Sequence, residues 1–325
     1  MNMKKTILLL ACMLVVSIAA SAFNTSAVVL HHNGKMTTYD AEQINDAMEA
    51  AVDGDEVYLS EGTYSGFTIK KKINIRGAGA EMTIISGDVN INIPNTPVLT
   101  ANLLEYIKVT GRVNVNEPLK GMRIKQCFLR YVDFKANTYD SYIDRCNIYE
   151  FLDISRTYDN SAFPYIKGLT ITNSVIYWAH GIYESNLASS STAQNTTFIN
   201  CTLSYLRYNG GTIINSIINQ FGGPGYENSF YNTVLINTYY KGFVYDNSFV
   251  FCEFKNCYNG NTPLDYTTAD LASLGYYGND GTIIGPLGGN TPYTLTPAVP
   301  HVTESSMKVD TEKKQLSVTL TVSPK

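Results

Sequence analysis

ITNSVI, residues 171–176, is one of seven versions of a single pattern in this chain. IKQCFL, IDRCNI, FINCTL, IINSII, FYNTVL and FVFCEF share its form and begin at Ile124, Ile143, Phe198, Ile213, Phe230 and Phe249. Each opens with Ile or Phe, passes two free positions to a Cys, Ser or Thr, and closes two residues on with Ile, Leu or Phe. Asn173, Asn200, Asn215 and Asn232 stand just before the small residue. The copies start 19, 28, 27, 15, 17 and 19 residues apart. That spread is too variable for rigid helical repeats and suits a coil whose short strands stay constant while its loops vary.

The composition of the copies points to β-structure. Ile, Val, Phe, Tyr and Thr fill them, Asn and Gly separate them, and none keeps helical spacing beyond two turns. Asn tolerates the left-handed conformation that a sharp corner needs, and its amide is expected to bond to the copies above and below. Stacking puts small residue over small residue. Cys127, Cys146, Cys201 and Cys252 are therefore read as interior fillers, with Cys257 off the ladder as a free thiol or an occasional disulfide partner.

Upstream, Asp40-Ala41-Glu42-Gln43 reads as a capping box, and Ile44, Ala47, Met48 and Ala51 fall on one helical face. A short amphipathic helix is expected to cover the open end of the stack. Residues 53–87 then give three short β runs with turns at Gly62, Gly66 and Gly77-Ala78-Gly79. After Gly260 the pattern changes to a short helix at 269–274 followed by Gly- and Pro-rich chain. The last residues alternate Leu316, Val318, Leu320 and Val322 with polar partners, which predicts a hairpin acting as a C-terminal cap or appendage.

The N-terminus carries Lys4 and Lys5, an apolar run from Ile7 to Ala20, and Ala20-Ser21-Ala22, the order of a secretory signal. Cleavage is expected near Phe23, with a lipoprotein cysteine at Cys12 as the alternative. No later stretch reaches the roughly 18 apolar residues that span a bilayer. The protein is expected to be exported, to the periplasm, the cell surface or beyond, and to be a monomer. Five cysteines remain after the signal, an odd number, so they cannot all pair with one another. The net charge of −4 offers no electrostatic case for nucleic acid, and the histidines and cysteines show no zinc spacing. The expected organisation is a signal over 1–22, an N-terminal segment over 23–38, the coil with its capping helix over 39–265 and a C-terminal cap and tail over 266–325.

The run GDEVYLSEGTY, INIRGAG and TIISG after a capping helix, followed by the Asn-bearing copies, resembles the right-handed parallel β-helix of the pectate-lyase-like superfamily. The resemblance covers roughly residues 39–260 and is greatest to uncharacterised secreted bacterial β-helix proteins. It implies an all-β, single-stranded right-handed parallel β-helix with an N-terminal capping helix and a C-terminal β appendage. It implies little about activity, since the superfamily holds polysaccharide lyases, glycosidases, esterases and proteins without known catalysis.

Candidate site residues follow from reading on past each copy through RYVDFK, EFLDIS, AHGIYES and YLRYNG. With Val132, Phe134, Leu152, Ile154, Ile182 and Leu206 inward, Asp133, Lys135, Asp153, Tyr183 and Arg207 point outward on neighbouring coils. Asp133 and Asp153 would then lie about 4.8 Å apart and share a cation or a proton. Tyr131, Tyr149, Tyr177 and Tyr205 recur near one coil position, as an aromatic ladder would.

In the resembled fold the turn after this strand borders the substrate groove. That implies a polysaccharide partner held by Tyr177, Trp178, Tyr183 and Glu184. It also implies an alternative lyase for acidic glycans, with Ca²⁺ on Asp133 and Asp153 and Arg207, Lys135 or His180 as the catalytic group. The galacturonan hydrolases of this fold use Asp-Asp and Gly-His-Gly. Here there is no Asp-Asp, and Ala179-His180-Gly181 is the nearest match. A surface structural or adhesion protein is the third class. No cofactor is required by the pattern itself.

Overall fold

A computed structural model describes residues 26–95, 97–152, 166–180, 195–207, 210–220, 225–226, 229–236, 249–250, 253–260, 271–296, 301–310 and 315–323. The expected signal with Cys12, and also Cys252, Asp153, Ile154, Ile182, Tyr183 and Glu184, lie outside them. Strand accounts for 53% and helix for 5%, which makes the chain all-β. Two compact units divide it at Leu295 and Thr296.

The first unit is organised by two long sheets, of fourteen and ten strands among the described residues. The chain alternates between them. Glu56–Leu59, Asn74–Gly77, Arg123–Lys125, Tyr142–Asp144 and Ile166–Thr172 belong to the larger sheet. Gly62–Ile69, Thr83–Ile91, Lys108–Val115, Phe128–Phe134, Asn147–Leu152, Val175–His180 and Thr202–Arg207 belong to the smaller. From Glu56 onward every pairing within these sheets is parallel, an arrangement compatible with a β-solenoid.

The repeat sets the register. Ile75, Leu104, Ile124, Ile143, Ile171, Phe198, Ile213 and Phe230 stack residue on residue in the larger sheet. Val109, Leu129, Ile148, Ile176, Leu203, Ile218 and Leu235 do so in the smaller one. All of them are buried in one apolar core. Phe134, Phe151 and Phe198 add edge-to-face contacts within it, at 5.7 and 6.2 Å between ring centroids.

The seventh copy needs correction. Phe230 pairs with Phe254, not Phe249, and Asn256 takes the corner at φ 54°. Cys257 therefore belongs to the small-residue column, with its thiol donating to the Phe230 carbonyl at 3.3 Å. FVFCEF satisfies the apolar template, but Phe249–Val250 pairs with Gly225–Tyr226 in a separate two-stranded sheet.

Corners join the two sheets. Gln126, Arg145, Asn173, Asn200, Asn215, Asn232 and Asn256 all take the left-handed conformation, with φ between 46° and 54°. Most L-residues pay about 1–2 kcal/mol there, and Asn is among the exceptions. From Gln126 to Asn232 each of these corner amides stays in the ladder, as in Asn173 N–H to the Ile199 carbonyl and Asn200 N–H to the Ile214 carbonyl, both 3.0 Å. Next to the corner, the Ser174 and Ser216 hydroxyls accept from the Cys146 and Cys201 amides at 3.0 Å, so the inward small residues complete the backbone pairing.

The Asn173 and Asn215 side-chain amides bond outside the stack and not copy to copy as expected. Asn173 Nδ2 donates to the Gly288 and Pro286 carbonyls at 2.7 and 3.2 Å, and Asn215 Nδ2 to Asn279 Oδ1 at 2.9 Å. Their partner is the segment 271–296, which runs along the side of the stack. It also accepts from Gln126 through the Thr294 carbonyl. Leu271 and Ile284 cover Ile217 and Val234 in a second apolar cluster. Its described start, 271–275, is a turn where a helix was expected.

The capping helix is present. Asp40 and Gln43 form the capping box, a 3₁₀ turn spans Ala41–Gln43, and Ile44–Ala50 is helical. Ile44, Ala47, Met48 and Ala51 enter the main core beside Tyr64, Phe67 and Ile69. Ahead of it lies an element the sequence reading did not specify. Ala27–His32 and Lys35–Asp40 form a hairpin through Asn33-Gly34, both at positive φ, and its first strand pairs antiparallel with Glu56–Leu59. In the second unit, His301–Asp310 and Gln315–Ser323 form the antiparallel hairpin that the alternation predicted.

Two outcomes follow. Burial pushes the Cys201 thiol up to about 12, and Cys127 and Cys146 are equally enclosed. Maleimide footprinting of native protein at neutral pH should leave these three unmodified until denaturant is added, with Cys257 reacting earlier. Gly289 has φ +72°, and an added Cβ would sit 2.4 Å from Asn200 Nδ2. Gly289→Ala should lower the urea-unfolding free energy by about 1–2 kcal/mol.

Candidate functional site

The outer face of the ten-strand sheet carries the predicted site residues. A strand normally alternates its side chains between faces. Here, between each pair of buried positions, two successive residues face outward: Arg130-Tyr131, Tyr149-Glu150, Tyr177-Trp178 and Ser204-Tyr205. The buried brackets are Leu129 and Val132, Ile148 and Phe151, Ile176 and Ala179, and Leu203 and Leu206. The doubled outward position makes this face unusually dense in side chains.

Stacking then groups the aromatic residues. Tyr131, Glu150, Trp178 and Tyr205 are in register on successive coils. Trp178 and Tyr205 approach to 4.6 Å between centroids. His180 lies parallel to Trp178, 5.8 Å away with planes 1° apart, and 5.8 Å from Tyr205. Beside them Tyr149 and Tyr177 lie 5.9 Å apart, and Tyr131 meets Tyr149 edge-on at 6.4 Å. The tyrosine ladder is thus split between two adjacent columns. Trp178 is 40% and Tyr177 41% exposed, values high enough to leave ring faces open to a ligand. Both Trp178 and His180 lie inside the strand Val175–His180, before any turn.

The carboxylates are arranged differently from the sequence reading. Val132 pairs with Phe151, so Asp133 lies opposite Leu152, one residue short of Asp153. Phe151 fills the core. The difference arises because RYVDFK and EFLDIS begin 20 residues apart, while the strands pair at the 19-residue interval of the two copies. The same column continues through His180 to Arg207, three rungs or roughly 14 Å from Asp133. Ala179, where the alternation placed Ile182, is the inward residue opposite Leu206. Of Arg207 the backbone alone is described.

Asp133 is nearly enclosed. Its Oδ2 is 3.9 Å from both Arg112 Nη1 and Lys135 Nζ, and its Oδ1 is buried without a hydrogen-bond partner. Burial raises its pKa above the ordinary carboxylate range, Lys135 and Arg112 oppose that rise, and Glu150 adds to it. One carboxylate flanked by two cations is a poor calcium site, since Ca²⁺ takes six to eight oxygens. Among the described residues no group of three or more His, Cys, Asp or Glu converges as metal ligands. Lys135, a candidate base, is held beside Asp133.

Sequence reasoning missed the cations around Tyr131 and Phe128. Arg112 lies 4.6 Å and Arg130 5.2 Å from the Tyr131 ring centroid, and Lys108 4.9 Å from that of Phe128. Extending the alignment one coil back, to VTGRVNV, would have placed Arg112 beneath Tyr131. Comparison with known proteins returns no match to this chain, whether among family models, curated proteins or solved structures.

A raised native value means that the folded protein holds the Asp133 proton more tightly than the unfolded chain does. This group's contribution to stability therefore falls as pH rises between the ordinary carboxylate value and the raised one. Asp133→Asn should be more stable than wild type near neutral pH and lose that advantage on acidification. Urea unfolding at stepped pH is the measurement, and an advantage that grows in acid would contradict a burial cost.

Proposed function

We propose that this is an exported right-handed parallel β-helix protein that binds polysaccharide on the outer face of its ten-strand sheet. The observation that carries the reading is the band of Tyr149, Tyr177, Trp178 and Tyr205, in contact on successive coils with large rings exposed. Rigid rings on a rigid sheet offer apolar faces to sugar rings at little entropic cost. Lys4-Lys5, the apolar run and Ala20-Ser21-Ala22 support export. The alternation of parallel strands between two sheets, with the resemblance of residues 39–260, supports the β-helix of the pectate-lyase-like kind.

A lyase on acidic glycans is the second reading. It is favoured by Asp133, whose pKa is raised, between Arg112 and Lys135. Such an enzyme would place a cation at the substrate carboxylate and a base at the adjacent proton.

One experiment separates the two. Protein from Phe23 to Lys325 is run through gels containing neutral or acidic polysaccharides, and incubated with the same glycans in Ca²⁺ or EDTA while unsaturated product is followed by absorbance. Retardation without product is expected, weakened at least tenfold in Trp178→Ala. Product that disappears in Lys135→Ala or Arg207→Ala would establish the lyase, and an absence of both signals would leave the structural or adhesive class.

A further inference from the structure

We propose that Arg112 and Arg130 form an anion subsite for a carboxylate or sulfate carried by the bound glycan, on the coils before the aromatic platform. The inference rests on the glycan-binding reading above and names the chemistry of that ligand. Two guanidiniums from adjacent strands share one aromatic ring, Tyr131, at 4.6 and 5.2 Å from its centroid. A guanidinium stacked by its flat face keeps its N–H edges free for the paired oxygens of an oxyanion. Lys108, over Phe128, and Lys135 belong to the same face.

The acids nearby do not consume this charge. Asp133 is shared between Arg112 and Lys135 at 3.9 Å. Asp88 Oδ1 accepts the Arg112 backbone N–H, and Glu150 lies opposite Tyr131 on the next coil. Among the described residues no carboxylate comes within ion-pair distance of Arg130 or Lys108. The chain's net charge is −4, so its long-range field does not attract a polyanion. Preference for an anionic glycan must therefore come from local contacts of this kind.

Register gives the ligand a direction. Tyr131, Glu150 and Trp178 are consecutive rungs and Arg112 is one rung before Tyr131, so the strands of Arg130 and Arg112 lie about 10 and about 14 Å from that of Trp178 along the stack. The shorter span is the length of a disaccharide. The ligand is a glycan that crosses the coils, with its acid group near Tyr131 and an uncharged sugar face on Trp178 and Tyr205.

The test uses gels containing matched probes, dextran against dextran sulfate and hydroxyethyl cellulose against carboxymethyl cellulose, at low and high salt. Wild type should be retarded more by the charged member of at least one pair, and which pair responds tells sulfate from carboxylate. The variant Arg112→Gln/Arg130→Gln should lose that preference, by about tenfold in affinity, while keeping its retardation by the neutral member. Arg130→Gln alone, which touches no ion pair, serves if the double variant fails a thermal-unfolding check, and Lys70→Gln/Lys72→Gln is the distant charge control. Equal retardation by charged and neutral members, or a preference that survives the arginine variants or falls equally in the lysine control, overturns the subsite and leaves glycan binding standing. Retardation by the neutral probes that is undiminished in Trp178→Ala, with the charge preference intact, sinks the aromatic platform but not the subsite, and retardation by no probe sinks both.

Discussion

In-register parallel stacking is the constraint on which the rest depends. Once Ile124 lies on Ile143 and Ile143 on Ile171, the other strand residues of those coils meet their counterparts one strand away. A side chain is therefore selected mainly against copies of itself. Apolar residues inside stack into a continuous core, small residues at the corner stack without gaps, and aromatic residues outside stack into a band. The core and the exposed face are two products of one register.

The corner shows how backbone and packing cooperate. A left-handed residue turns the chain from one sheet to the other, and its N–H still bonds the next coil. That geometry aims the Asn side chain outward, where its amide has no reason to meet the amide above. The segment 271–296 takes up these groups instead, with Gly289 letting its backbone lie against Asn200. Distant chain thus completes hydrogen bonds that the repeat leaves open, and covers the exterior residues Ile217 and Val234 that no coil can bury.

The exposed face inherits its order from the same register. Two outward residues per coil bring Trp178 against Tyr205 and His180, and Arg112 and Arg130 against Tyr131. Asp133, at the rim of this array, keeps a carboxylate in a nearly enclosed place between two cations. Its raised proton affinity is a consequence of that burial, which outweighs the two cations.

The repeat, the β class, the inward columns, the corner asparagines and the capping helix were all legible in the amino-acid order, because each depends on residues at fixed short spacing. So was the outward placement of Tyr177. Other features depended on which coil meets which. Asp133 meets Leu152 because the 19-residue offset of the two copies runs unbroken along the strand, whereas matching RYVDFK to EFLDIS implies an offset of 20. FVFCEF satisfied the template while the true copy from Phe254, FKNCYN, closes on Asn259 and does not, and pairing alone chose between them. The two arginines on Tyr131 are 18 residues apart in the chain, and become neighbours only when one strand is laid on the next. Local pattern determined what kind of surface each coil presents, and the tertiary stacking decided which of those side chains touch, since contact across coils is a property of register and not of composition.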